Sequence, residues 1–189
     1  MPDPVMLNNI GTPLIAAAGF VLAIWQWNKA VAQRKDELRW KRAEAAWKLT
    51  DEIHEDPDCA MALQLVDGEC EPLEHPDGTR DDVSLEDAMK ALDLKTESTS
   101  SKSRSIRKSF DSLLYALQRM ESAVKTGYIL DEDISSVTVY YAGLLHAEAL
   151  WPLLETYARR IGYNDATRLI ARLAGRPRPE GHVSTRLGT

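Results

Sequence analysis

Residues 12–53 read TPLIAAAGFVLAIWQWNKAVAQRKDELRWKRAEAAWKLTDEI, and no Gly or Pro stands between Gly19 and Pro57. Those two residue types are the strongest breakers of a helix, so the stretch predicts one long helix from Thr12 to about Ile53. Thr12 can cap it, and Pro13 suits its first turn. At about 1.5 Å per residue it would run on the order of 60 Å.

The two halves of this helix differ in chemistry. No charged residue occurs from Val5 to Asn28, and Ile10–Trp27 is mostly apolar, near the lower bound for crossing a hydrocarbon layer of roughly 30 Å. Trp25 and Trp27 stand at its far end, where indole rings favour the headgroup boundary. Lys29, Arg34, Lys35, Arg39, Lys41 and Arg42 follow, whereas Asp3 is the one charged side chain before the run. By the positive-inside rule this predicts a short extracytoplasmic tail at 1–9, a transmembrane helix at 10–28 and a cytoplasmic C-terminus, single-pass in the cell (inner) membrane. A cleaved signal peptide would carry its positive charge before the apolar run. A buried core helix or a peripheral anchor is the alternative that length leaves open. Thr12 with Ala16, and Gly19 with Ala23, are small pairs four apart and are the candidate packing positions between two spans.

Beyond Trp27, helical spacing places Val31, Leu38, Ala45, Leu49 and Ile53 on one side, and Trp40, Ala43 and Trp47 on another. So wide an apolar arc implies more than one neighbour. Either the chain buries both sides in its own core, or the Trp40/Trp47 side meets a partner or a second copy.

The remainder predicts amphipathic helices and no convincing strand. Asp56-Pro57 opens a short helix that Gly68 ends, with Cys59, Ala62, Leu63, Leu65 and Val66 as its apolar positions. Residues 69–83 (ECEPLEHPDGTRDDV) read as an acidic surface loop with a Pro-Asp-Gly turn. Ser84 and Asp87 form a capping-box variant ahead of Leu85–Leu94. After a polar Ser/Thr run, Ile106, Phe110, Leu113, Leu117, Met120 and Val124 recur at alternating spacings of four and three, and Gly127 terminates them. Asp131 or Asp133 is expected to cap the next helix, which Pro152 kinks or restarts near Trp151. Gly162 stops it, and Asn164 or Asp165 starts a last short helix that Gly175 ends. Residues 176–189 lack an apolar pattern and are expected to be disordered. The fold class is therefore all-α: a transmembrane helix continuing into a small bundle of five or six helices, with the cytosolic domain at 29–175.

A net charge of −6 and a pI near 5.3 argue against nucleic acid as a general ligand. Cys59 and Cys70 are expected as free thiols in a reducing cytosol. The chain lacks a Walker lysine loop, a dinucleotide fingerprint and a nucleophile elbow. Cys70, Glu71, Glu74, His75 and Asp77 form the one metal-like cluster, in a loop without a fixed ligand geometry. His146 and Glu148, two apart on a helix, point in different directions. No catalytic residue, cofactor site or metal site is assigned. Lys102, Arg104, Arg107 and Lys108 are a second basic cluster, which with Lys29, Arg34 and Lys35 offers contacts to anionic headgroups; the plainer reading is an exposed helix start.

The stretches WKRAEAAWKL at 40–49, DPDCAMALQLVD at 56–67, FDSLLYALQRMESAVKTGYILDEDI at 110–134 and the ending at 157–173 resemble a group of bacterial single-span membrane-anchored proteins with a helical domain of unknown function. Gly68 stands where many of that group carry Trp. The resemblance implies no catalytic residues.

These features predict a membrane-tethered, noncatalytic interaction or scaffold module that binds a protein partner or self-associates, with Trp40, Trp47 and Trp151 as candidate contact surface. One alternative is a membrane-acting effector or a stress or phage-defence sensor. The other is a small enzyme or metal protein using the acidic loop 69–83.

Overall fold

The computed structural model describes residues 4–68, 72–74, 80–95 and 100–175, with the side chains of 4–18, 73–74 and 80–81 left undescribed. The class is all-α, and the described residues form seven α-helices: α1 Pro4–Glu55, α2 Pro57–Asp67, α3 Leu85–Leu92, α4 Ser101–Lys125, α5 Ser136–Leu145, α6 Trp151–Ile161 and α7 Asn164–Ala174. A two-residue antiparallel ladder pairs Leu73 with Asp81 and Glu74 with Arg80, giving the acidic loop a small hairpin. The chain divides into two units, Met1–Lys41 and Arg42–Thr189.

α1 is unbroken and starts at Pro4, ahead of the Thr12 start expected from the sequence. In the first unit every described side chain from Gly19 to Lys41 is exposed. Among the described residues no helix is long and apolar enough to cross a membrane, so the transmembrane helix expected at 10–28 is not supported. The side chains of Thr12 and Ala16 lie outside the described ones, and the tail at 176–189 lies outside the described residues.

The second unit is a helical bundle built around α4. Ile106, Phe110, Leu113, Leu117 and Met120 are buried along one face of this helix, and α4 packs against α7, α2 and α3, while α5 packs on α7 and α2 and α6 on α7 and α3. Each large side chain so buried contributes about 1.5–3 kcal/mol, which short helices need because isolated ones are marginal in water. α1 enters this core through Ala45, Ala46, Thr50 and Ile53, with Leu49 half-buried.

Local signals set the helix ends. Asp56 accepts hydrogen bonds from the Asp58 and Cys59 amides at 2.8 and 3.2 Å, and Gly68 closes α2 at a φ of 78°. That left-handed conformation costs glycine nothing. Ser84 and Asp87 form the expected reciprocal box. Ser100 caps α4, so this helix starts within the polar Ser/Thr run. The expected Asp cap of α5 is corrected: Ser135 caps it, because Asp131–Asp133 form a 3-10 turn in which Asp133 accepts from the Leu130 amide at 2.8 Å and Asp131 accepts from Arg172. The chain turns after Leu145 and restarts at Trp151 with Pro152 in its first turn.

Candidate functional site

The three candidate tryptophans have different fates. Trp40 is 72% exposed and Trp47 64%, so the reading of their side as intramolecular core is overturned: Ala45, Ala46, Thr50 and Ile53 bury the opposite flank instead. Trp151 is half-buried against the core, its ring 4.5 Å from that of His146. It is as much a packing residue as a surface one.

The two basic clusters also separate. Lys29, Arg34 and Lys35 are exposed, and the Lys29 ammonium lies 5.4 Å above the Trp25 ring, a cation–π contact. In the second cluster Lys102 donates to the Asp82 carbonyl at 2.5 Å and pairs with Asp87 at 2.9 Å. Arg107 Nε donates to the Ala91 carbonyl at 2.6 Å, near the C-terminus of α3 where carbonyls lack helical partners. Lys108 pairs with Asp58 at 2.8 Å. Three of the four cations therefore staple α4 to α2, α3 and the turn before α3; Arg104 is exposed. Lys108 stays 72% exposed in its pair, so Arg104 and Lys108 are the open members of the cluster.

Of the small-residue pairs, Gly19 and Ala23 are exposed, and a Cβ on Gly19 would meet nothing within 4 Å. Of the metal-like cluster, Cys70, Glu71, His75 and Asp77 lie outside the described residues, and among the described ones no group of three His, Cys, Asp or Glu could hold a metal. Cys59 is buried, and burial first, then Asp56 and Asp58, pushes its thiol up to about 12. It stays protonated near neutral pH and is a weak nucleophile.

Two polar links inside the bundle have no signature in the sequence. Arg172 on α7 holds the buried Glu121 of α4 with both terminal nitrogens, at 3.0 and 2.5 Å, and reaches Asp131 at 3.0 Å. Tyr157 on α6 donates to Asp111 of α4 at 2.8 Å. Burial raises the Asp111 carboxyl while the Tyr157 hydroxyl and Arg107 work against it, and the tyrosine is itself pushed up. An isolated helix offers neither pair a short-range partner, so only tertiary packing creates them.

An open groove of about 460 Å³ runs between α6 and α7, lined by Trp151, Glu155, Arg159, Asn164, Thr167, Arg168 and Ala171. Its arginines are paired, Arg159 with Glu155 at 2.7 Å and Arg168 with Asp165 at 2.9 Å, so the groove carries little net charge. A second crevice of about 20 Å³, between α1, α2, α4 and α5, is mostly apolar and includes His54 and Tyr141. Neither includes Asp111 or Tyr157.

Comparison with protein families, curated proteins and solved structures finds no match.

Proposed function

We propose that this chain is a membrane-tethered, noncatalytic helical module. The first part of α1 holds it at the cytoplasmic face of the cell membrane, and the bundle binds a protein partner or a second copy through the outer side of α1 that carries Trp47. The observation that carries this reading is a run of large apolar side chains left uncovered. Phe20, Val21, Leu22, Ile24, Trp25 and Trp27 are each 46–71% exposed on one helix. Contiguous apolar surface of that kind is costly in water and marks a lipid or protein contact. The basic residues after it favour the negatively charged cytoplasmic leaflet. The bundle supports a binding role because its core is closed by α2–α7 together with the inner side of α1, while Trp47 stays open.

Cells producing the full chain with a photo-crosslinking residue in place of the exposed Ala43, one turn before Trp47 on the same side of α1, provide the test. The chain should pellet with membranes and give a discrete crosslinked product, either a dimer or one partner. Recovery of the chain in the soluble fraction would sink the tether, and a monomer as the sole species after irradiation would sink the binding role.

A further inference from the structure

We propose that residues 24–41 of α1 form an in-plane seat for an anionic lipid surface. This deepens the tether reading and rests on it. Ile24, Trp27, Val31 and Leu38 are 46, 71, 37 and 60% exposed. At about 100° per residue they fall within an arc of about 60° on the helix. Arg34 and Lys41 border that stripe on one side, and Lys35 and Arg39 on the other. Gln26, Lys29, Gln33, Asp36 and Glu37 make the opposite face mostly polar, with Trp40, 72% exposed, among them. An apolar stripe with basic borders and a polar back lies along a membrane surface with its stripe in the acyl boundary. The stems of the bordering side chains cover the stripe's edges while their charges reach the phosphates.

Charge selects the occupant. Between positions 29 and 41 five basic residues face two acidic ones, in a chain whose net charge is −6. The positive surplus is thus local and sits beside the exposed stripe. A second copy docked in parallel on the same stripe would place Arg34, midway between Val31 and Leu38, in the seam against its own counterpart. Like charges in such a seam oppose pairing. A layer of anionic headgroups has no such conflict. In the α4 cluster Lys102 and Arg107 are engaged within the bundle, and the exposed Arg104 and Lys108 have no exposed large apolar side chain within a turn of them.

Flotation of the purified full chain with vesicles provides the test, comparing phosphatidylcholine alone with phosphatidylcholine containing about one third phosphatidylglycerol. Binding to the anionic vesicles should be at least about tenfold stronger and should weaken sharply in about 0.5 M salt. Arg34→Glu with Lys35→Glu should lower it by about tenfold or more, while Glu37→Gln on the polar back should change it by less than about twofold. All of these positions are exposed, so urea unfolding of the bundle should be unchanged and a loss of binding is not a loss of fold. Equal binding to both vesicle types, or binding that survives high salt, would overturn the anionic seat and leave the tether standing. No binding to either vesicle would overturn both. A crosslinked dimer through position 27 without vesicle binding would assign the stripe to a second copy and overturn the proposal.

Discussion

Arg172 grips Glu121 from the neighbouring helix with both terminal nitrogens, although the Glu121 carboxylate is almost wholly buried and the arginine side chain is 36% exposed. A bidentate pair is the strongest form of charge-assisted hydrogen bond. Its loss leaves a buried carboxylate without compensation. Arg172→Ala should therefore destabilise the bundle by about 3 kcal/mol, the low end of the range for breaking a buried pair, because water already reaches the arginine side. Replacing both residues by Leu should recover most of that loss. Urea midpoints of the two variants check this; a single variant within about 0.5 kcal/mol of the parent would show the pair to be dispensable.

Tyr157 and Asp111 make a different kind of link, because burial works against the carboxylate that accepts the bond. The Asp111 carboxyl is raised above its ordinary value. An acid so raised lowers stability as pH climbs through the folded pKa, and costs nothing below the unfolded one. Tyr157→Phe removes the one side-chain donor opposing that rise, so its cost should be about 1–2 kcal/mol at neutral pH and should shrink as pH falls toward about 3.5. Asp111→Asn should flatten this dependence. The difference in urea midpoint between variant and parent, followed from pH 7 downward, is the measurement; a penalty constant with pH would contradict the assignment.

Asp87 has the opposite sign. Lys102 first holds its carboxyl below the usual range; burial opposes it, and the hydrogen bonds from Ser84 add to the lowering. Stability from this carboxylate is therefore present above the unfolded pKa near 4 and lost as pH falls through the lower folded value. Ser84→Ala removes the side-chain cap of α3 and should cost about 1 kcal/mol. Lys102→Met should weaken the acid dependence while leaving the cap in place. Thermal melts between about pH 2 and 7 distinguish the two effects, and identical acid profiles for parent and Lys102→Met would refute the coupling.

The elements legible in the sequence are those written by short-range chemistry. The four-three spacing of Ile106 to Val124 announced the central helix, and Asp56, Ser84, Gly68 and Gly162 marked ends where caps and left-handed turns formed. Asp131 and Asp133 misled because an acidic residue ahead of a helix resembles a cap; a tertiary contact with Arg172 claims the first, and the local 3-10 turn, through the Leu130 amide, claims the second. The cations of α4 read as a free patch for the same reason, since Ala91, Asp87 and Asp58 are 15 or more residues away in sequence. Periodicity placed Val31 and Leu38 in line with Ala45 and Ile53, yet only the last two are buried. Spacing identifies a face and says nothing about where along the helix its cover ends.

The two sides of α1 and the start of α6 supply a last contrast. Trp47 is 64% exposed, whereas Trp151 is half-buried, stacked beside His146 and packed on the core. Trp151→Ala removes packed apolar area and should cost about 2–3 kcal/mol, below the range for a fully buried tryptophan. Trp47→Ser removes a side chain that mostly meets water, so the bundle's stability should stay within about 0.5 kcal/mol of the parent. If the outer side of α1 is a contact surface, Trp47→Ser in the chain that carries the photo-crosslinking residue at position 43 should lose the crosslinked product while remaining folded, since an exposed indole retained without a stability role is suited to anchoring a partner. Stability and crosslinking measured on both variants separate the roles. A Trp47→Ser chain that crosslinks as well as the parent would remove this residue from the binding surface.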